Sequence, residues 1–186
     1  WGAGRWTLLF RAFLLPALRS IPIRLLSRSK RKSSEPTKIM MYSALLIAKY
    51  VVRRCDEFGR TISNLKLQKI LYFIQAEFLV DVGRRCFPEI IEAWDSGPVV
   101  PEVYRKYKIY GSAHIPVGAA DRVIPIAEED INRINGIVDS CSQYSASQLT
   151  KITHHQSPWI EAYKRSDLNN EITPESIRNY FSESGI

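Results

Sequence analysis

The stretch AWDSGPVVPEVY (Ala93–Tyr104) holds a strand end, a turn and a helix start in close succession. The β-branched and aromatic run that leads into it, FPEIIEAW (Phe87–Trp94), predicts a strand. Asp, Ser, Gly and Pro follow directly, and this composition predicts a turn. Pro101 suits the first position of a helix, and Glu102 places a negative charge in its first turn, where the helix dipole favours it. Because the stretch holds no nucleophile–base pair and no phosphate cradle, we interpret it as a corner of the scaffold.

Helical spacing of apolar residues dominates the chain on both sides of this corner. Ser43 is expected to cap a first helix, and Gly59 follows its end. Thr61 or Ser63 is expected to begin a second helix, which Gly83 ends. The apolar stripe of this second helix is Leu67, Ile70, Leu71, Ile74 and Phe78. It is the most strongly patterned helix of the sequence.

The segments after the corner predict more helices and one further strand. Predicted helix starts lie at Glu128, Ser145, Ser157 and Thr173. VIPIA (Val123–Ala127) is the predicted partner strand of Phe87–Trp94, although Pro125 confines it to an edge. The predicted fold class is therefore mainly α (α+β), a compact multi-helix domain with a small two- to three-stranded antiparallel sheet.

Positive charge is concentrated in the first residues of the chain. Residues 1–39 hold nine of the 26 Lys and Arg residues but one of the 19 acidic residues, so the rest of the chain is nearly neutral. We expect a basic non-globular leader over 1–39, a globular domain over 40–186, and a natural start at Met40 or Met41. Other interpretations of the leader are a transit peptide, a segment lying on an anionic membrane and a segment that contacts a partner. Neither nucleic acid nor a membrane is an expected ligand of the globular part.

The residue types that support catalysis do not form a recognisable set. Cys55, Cys86 and Cys141 are odd in number and scattered, which indicates free thiols in a reducing cytosol. Cys141 with His154, or a serine with His155, gives only a weak hydrolase hypothesis, because no local signature accompanies either pair. The two histidines more simply mark a helix end. We therefore predict no enzyme, no cofactor and no metal site.

Two lysines and two tryptophans are candidates for binding. In LKLQK (Leu65–Lys69), Lys66 and Lys69 share one helical face, which suits phosphates or acidic groups of a partner. The simpler interpretation, which we favour, is a solvated face. Trp94 and Trp159 are expected in the core or along a groove, and if exposed they are candidate hot spots.

Four segments occur in a specific order: YSALLIAKYVV, ISNLKLQKILYFIQAEFL, IIEAWDSGPVVPEVYRKYKIYG and THHQSPWIEA. Together they resemble the Panacea domain, a SocA-like antitoxin family of bacteria and phages, from about Tyr42 to about Tyr163. The resemblance implies motif positions that define the fold or contact a partner. These are Leu65, Lys66, Gln68, Lys69, Tyr72, Trp94, Gly97, Pro98, Val99, Pro101, Tyr104, His154, Pro158 and Trp159.

The resemblance implies an antitoxin-type protein-binding module that neutralises a cognate protein toxin by direct contact. It further implies a toxin encoded by an adjacent gene, a cytoplasmic location and, in at least one member, an adaptor that delivers the toxin to a protease such as a Clp-type unfoldase. The alternative is a nucleic-acid-binding regulator of its own toxin–antitoxin operon, which the basic leader and the pair Lys66 and Lys69 support. The identity of the toxin does not follow from the sequence.

Overall fold

A computed structural model of the chain describes residues 41–118, 125–164 and 170–183. The predicted leader, residues 1–39, lies outside the described residues. The helices are α1 (Ala44–Glu57), α2 (Asn64–Glu77), α3 (Pro101–Tyr107), α4 (Glu128–Ser142), α5 (Ala146–His154), α6 (Ser157–Lys164) and α7 (Pro174–Glu183). A two-stranded antiparallel sheet completes the described part, so the predicted mainly α class with a small sheet is confirmed. None of the described helices is long and apolar enough to cross a membrane.

Side chains at the predicted N-caps begin several of these helices. The Ser43 hydroxyl accepts the backbone N–H three residues on, and Ser63, rather than Thr61, does the same for α2. Ser145 forms a full capping box at the start of α5. Pro101 is the first residue of α3, as the sequence predicts. These boundaries follow from local chemistry alone.

Helix α2 is the central element of the core. It packs against α1, α3, α4, α5, α7 and the second strand of the sheet, Gly97–Val99. A π-helical turn, Phe78–Val82, extends it to Gly83, whose φ of +73° ends the helix as predicted. Because neighbours surround α2, its polar side chains Gln68, Lys69 and Gln75 are buried together with its apolar stripe.

The sheet is a hairpin around the Asp95-Ser96 turn. Strand β1 (Glu92–Trp94) pairs with β2 (Gly97–Val99), and Trp94 lies opposite Gly97. The other edge of β1 is joined by residues 170–172, where Ala93 N–H donates to the Asn170 carbonyl at 2.7 Å. The hairpin therefore carries a third, very short partner on its outer edge.

The predicted strands differ from the observed ones. Only Glu92–Trp94 of the predicted strand Phe87–Trp94 is extended and paired. The predicted partner Val123–Ala127 is wrong over residues 125–127, which form no strand, while 123–124 lie outside the described residues. A turn of two residues brings β2 onto β1 at little loop-closure cost, and Pro125 lacks the N–H that a ladder needs.

Polar contacts fix α4 against α1 and the segment that precedes it. The Tyr42 hydroxyl donates to the buried carboxylate of Asp130 at 2.6 Å. Near the other end of α4, Asp139 accepts from both Arg54 and Arg60. These contacts hold the two helices in register on one side of α2.

Candidate functional site

The motif-bearing segments converge on one place, the hairpin corner, which we define as residues 94–98. Helix α2 supplies Lys69 to it and Gln68 to Val100 just beyond it, and the junction of α5 and α6 supplies His154 and Trp159. The converging positions come from segments far apart in the sequence. Because these distant segments meet at the corner, the corner is a better candidate for a functional site or a fold-defining contact than any single motif.

Lys69 is fully buried behind the corner. Its Nζ donates to the Pro98 carbonyl at 2.9 Å, and burial lowers the pKa of this ammonium group to about 7. No carboxylate forms an ion pair with Lys69 among the residues that the structure describes. The favoured prediction of a solvated face is therefore wrong for Lys69, because its long apolar stem packs inside while a backbone carbonyl accepts from its head.

Gly97 leaves the space that Lys69 occupies. Its φ is +99°, and a Cβ at this position would lie 2.8 Å from Lys69 Cε and 3.0 Å from Thr153 Oγ1. Both the backbone angle and the close approach demand glycine here. The glycine of the corner is thus explained by its backbone angle and by its packing against α2 and α5.

Gln68 and Asn64 hold the chain where the corner leads into α3. Gln68 Oε1 accepts the Val100 N–H at 2.9 Å, and Gln68 Nε2 donates to Asn64 Oδ1 at 2.9 Å. Asn64 Nδ2 in turn donates to the Tyr104 carbonyl at 3.2 Å. Both amides are buried, so this network satisfies their polar atoms while it anchors the start of α3 on α2.

Aromatic rings surround the corner on its outer side. Trp159 stacks on His154 at 4.0 Å and on Tyr163 at 4.6 Å between ring centroids. The Trp159 indole donates to the Trp94 carbonyl at 3.1 Å, and the Trp94 ring meets Tyr104 edge-on at 4.9 Å. These five partly exposed residues form what we call the aromatic rim. The hydrogen bond from the Trp159 indole to the Trp94 carbonyl joins the Trp94–Tyr104 pair to the stack of His154, Trp159 and Tyr163.

Carboxylates orient two of the rim side chains. The Tyr163 hydroxyl donates to Asp95 Oδ1 at 2.9 Å, and the Trp94 indole donates to Glu92 Oε2 at 2.7 Å. The bond to Asp95 raises the pKa of the Tyr163 phenol. These bonds fix the rings without a partner being present.

His154 is a half-buried ring of the rim. Burial lowers the pKa of its imidazole, and nearby Lys69 and His155 lower it further, while the backbone of Asp95 acts in the opposite direction. Its buried Nε2 has no hydrogen-bond partner among the described residues. A neutral imidazole suits the stack with Trp159 and gives His154 a packing role at the corner.

Other predicted site residues lie elsewhere or in the core. Lys66 is half-buried and its Nζ donates to the Ser142 carbonyl on α4, away from the corner. Tyr72 is fully buried beside Phe73 and Phe181. Leu65 is partly exposed. The motif positions that remain are all buried, namely Pro98, Val99, Pro101 and Pro158. Buried members of the motif shape the scaffold rather than meet a partner.

Sequence reasoning missed several residues of the site. Tyr163 lies four residues after Trp159, a spacing that puts both rings on one face of a helix, so a signal was available. Asn64 and Thr153 gave no comparable signal, because their roles depend on contacts with distant segments. Glu92 lies within the predicted strand Phe87–Trp94, but its bond with the Trp94 indole was not predicted.

The proposed nucleophile and base do not meet. Cys141 is buried on α4 near Lys66 and Cys55, and burial raises the pKa of its thiol to about 12. His154 instead lies at the corner, where Lys69 is its charged neighbour. Among the residues with described positions, no group of three or more His, Cys, Asp or Glu residues could hold a metal ion.

Comparison with known proteins places these features in a family. Residues 67–160, about half of the chain, match the family described as "Antitoxin SocA-like, Panacea domain". The chain belongs to this family. A relative, Antitoxin SocA of Caulobacter vibrioides (strain NA1000 / CB15N), is 35% identical over 127 residues, which cover 62% of this chain and 68% of the relative. No solved structure matches the chain. The resemblance given by the four sequence segments is thereby confirmed at the level of the family.

Proposed function

We propose that this chain neutralises a cognate protein toxin by direct contact through the aromatic rim. The observation that carries the proposal is a set of partly exposed rings held in place by hydrogen bonds in a member of an antitoxin family. Trp and Tyr dominate the binding energy of many protein interfaces. The antitoxin acts in this proposal without catalysis, as a cytoplasmic binding module formed by residues 40–186.

Preorganisation is what suits the rim for binding. Trp159 stacks against two rings and donates a hydrogen bond through its indole N–H, so a partner does not have to immobilise it. Each rotamer-rich side chain that an interface must order costs about 0.5–1.5 kcal/mol. The rigid corner beneath the rim, with Lys69 and Gln68 buried behind it, reduces that cost further.

The nucleic-acid alternative loses its support within the described residues. Lys69 is buried and Lys66 is bonded to a backbone carbonyl, so the two do not present a phosphate-binding face. Delivery of the toxin to a protease such as a Clp-type unfoldase is the second route of neutralisation that we propose to test. It differs from simple sequestration by needing a second contact surface.

The test is rescue of growth when the chain is expressed with the product of an adjacent gene that is toxic alone. Trp159→Ala and Tyr163→Ala should each weaken toxin binding about thirtyfold or more, the loss typical of a hot spot. Tyr110→Ala is the matched control, because Tyr110 and Tyr163 are similarly exposed, at 36% and 40%, and Tyr110 lies outside the rim. Thermal unfolding must show that all variants fold.

Equal rescue by the rim variants and the control would contradict the proposed surface. If neither adjacent gene product is toxic, the antitoxin activity itself fails. Repeating the rescue in a strain without the unfoldase separates the two routes. Sequestration predicts unchanged rescue, and proteolytic delivery predicts its loss.

A further inference from the structure

We propose that the aromatic rim receives a cationic segment of its partner, in which Arg or Lys side chains lie against its rings and its adjoining carboxylates. This inference rests on the proposed function and specifies the chemistry of the partner surface. It is argued from three acidic residues at the rim, Glu92, Asp95 and Glu171.

Two of these carboxylates are already held in position. Glu92 accepts from the Trp94 indole and Asp95 accepts from the Tyr163 hydroxyl. Each of these bonds uses one carboxylate oxygen, which leaves the other oxygen of the group to accept from a partner. The donors are rim aromatics, so the negative charges and the ring faces belong to one surface.

The third carboxylate, Glu171, repels the like charge of Glu92. Glu171 lies directly opposite Glu92 in the antiparallel bridge between residues 170–172 and β1. Like charges directly opposite each other on neighbouring strands are destabilising. In the described parts of the chain, no Lys or Arg forms an ion pair with Glu92, Asp95 or Glu171. A cation supplied by a partner would remove this repulsion.

Arginine fits this combination of groups especially well. Its planar guanidinium pairs with a carboxylate through two parallel N–H donors and also stacks on aromatic faces. Attraction between a cation and the face of Trp or Tyr adds to the ion pair where water is excluded. The rim brings Trp and Tyr rings together with the carboxylates, because the Trp94 indole donates to Glu92 and the Tyr163 hydroxyl donates to Asp95. Charge complementarity thus selects a basic protein segment as the occupant.

The binding test uses a synthetic peptide of alternating Arg and Gly, with an alternating Glu and Gly peptide as the opposite probe. The NMR signals of the Trp94 and Trp159 indole N–H groups report on the site itself. We expect both signals to shift with the Arg peptide and to stay unchanged with the Glu peptide. The shift should shrink as salt is added, because exposed ion pairs are screened.

The charge test uses a triple neutral variant, Glu92→Gln, Asp95→Asn and Glu171→Gln. Each exposed ion pair is worth about two- to fivefold in affinity, so the triple variant should bind the Arg peptide at least about tenfold more weakly. The control variant neutralises three exposed carboxylates elsewhere and so has the same net charge. Its changes are Glu128→Gln, Glu175→Gln and Glu183→Gln.

The inference is overturned if the Arg peptide leaves the indole signals unchanged, or if the triple variant binds as well as its control. The toxin rescue assay separates this failure from failure of the proposed function. If Trp159→Ala loses rescue while the triple variant rescues fully, the rim stays the proposed binding surface, but its preference for cations is refuted. Full rescue by both would discard the rim as well.

Discussion

Replacing Gly97 by alanine should destabilise the fold more than alanine at any other glycine of the described left-handed turns. The new Cβ would lie 2.8 Å from Lys69 Cε, 2.9 Å from Lys69 Nζ and 3.0 Å from Thr153 Oγ1. Lys69 is buried and bonded to the Pro98 carbonyl, so it cannot swing into solvent to make room. The variant therefore combines a strained backbone with an overpacked interior.

The two contributions can be estimated separately. A left-handed backbone costs a residue with a Cβ about 1–2 kcal/mol. Overpacking of a well-filled interior typically costs a further 1–3 kcal/mol or so. The free energy of unfolding should thus fall by about 2–5 kcal/mol for Gly97→Ala. Gly83→Ala isolates the backbone contribution, because Gly83 has a φ of +73° and no atom within 4 Å of its would-be Cβ.

Urea denaturation at pH 7, followed by circular dichroism, measures both variants against the parent chain. Combining Gly97→Ala with Lys69→Ala should recover part of the overpacking cost, which a double-mutant cycle reports as coupling. If Gly97→Ala costs no more than Gly83→Ala, the tight contact between Gly97 and Lys69 is refuted. Absence of coupling to Lys69 would refute it independently.

Three further predictions concern buried groups. Lys69 has a pKa of about 7 in the folded chain against an ordinary 10.5, so the unfolded chain binds more protons between these two pH values. The free energy of unfolding should therefore rise with pH in this range, by up to about 1.4 kcal/mol per pH unit. Lys69→Met should remove this rise in urea titrations from about pH 7 to about 8.5. Tyr72→Phe should be neutral or stabilising by about 1 kcal/mol, because the buried Tyr72 hydroxyl has no hydrogen-bond partner among the residues that the structure describes. Tyr50→Phe should destabilise by a similar amount through loss of its bond to Asn135, and thermal melts that rank the two variants the other way would contradict this. The buried thiols have raised pKa values, so iodoacetamide at pH 8 should modify them at least about a hundredfold more slowly in the folded chain than in urea. Mass spectrometry measures the modification, and rapid labelling of the folded chain would contradict their burial. They are Cys55, Cys86 and Cys141.

Local chemistry made much of the helical fold predictable. The caps Ser43, Ser63 and Ser145, together with Pro101 at a helix start, act within one turn of the chain. Such interactions are visible in the sequence because donor and acceptor are neighbours. The helix ends at Gly83 and Gly59 were predictable for the same reason.

Contacts between distant segments account for what the sequence did not reveal. Lysine is rarely buried, and nothing near Lys69 in the sequence signals that Pro98 supplies its acceptor or that Gly97 leaves its space. The partner of β1 was mistaken because Gly97–Val99 is shorter and less strand-like than Val123–Ala127. The aromatic rim was predictable only in part, since the spacing of Trp159 and Tyr163 says nothing about Trp94.

The outer edge of β1 has a consequence during synthesis of the protein. Residues 170–172, which cover this edge, are translated long after Glu92–Trp94. At about 5–20 residues per second, ribosomes take about 4 to 16 seconds between the two segments. An uncovered strand edge is a template for pairing with other chains. During this interval the nascent chain lacks the residues that cover the outer edge of β1, so that edge is open to pairing with another chain or to binding by a chaperone.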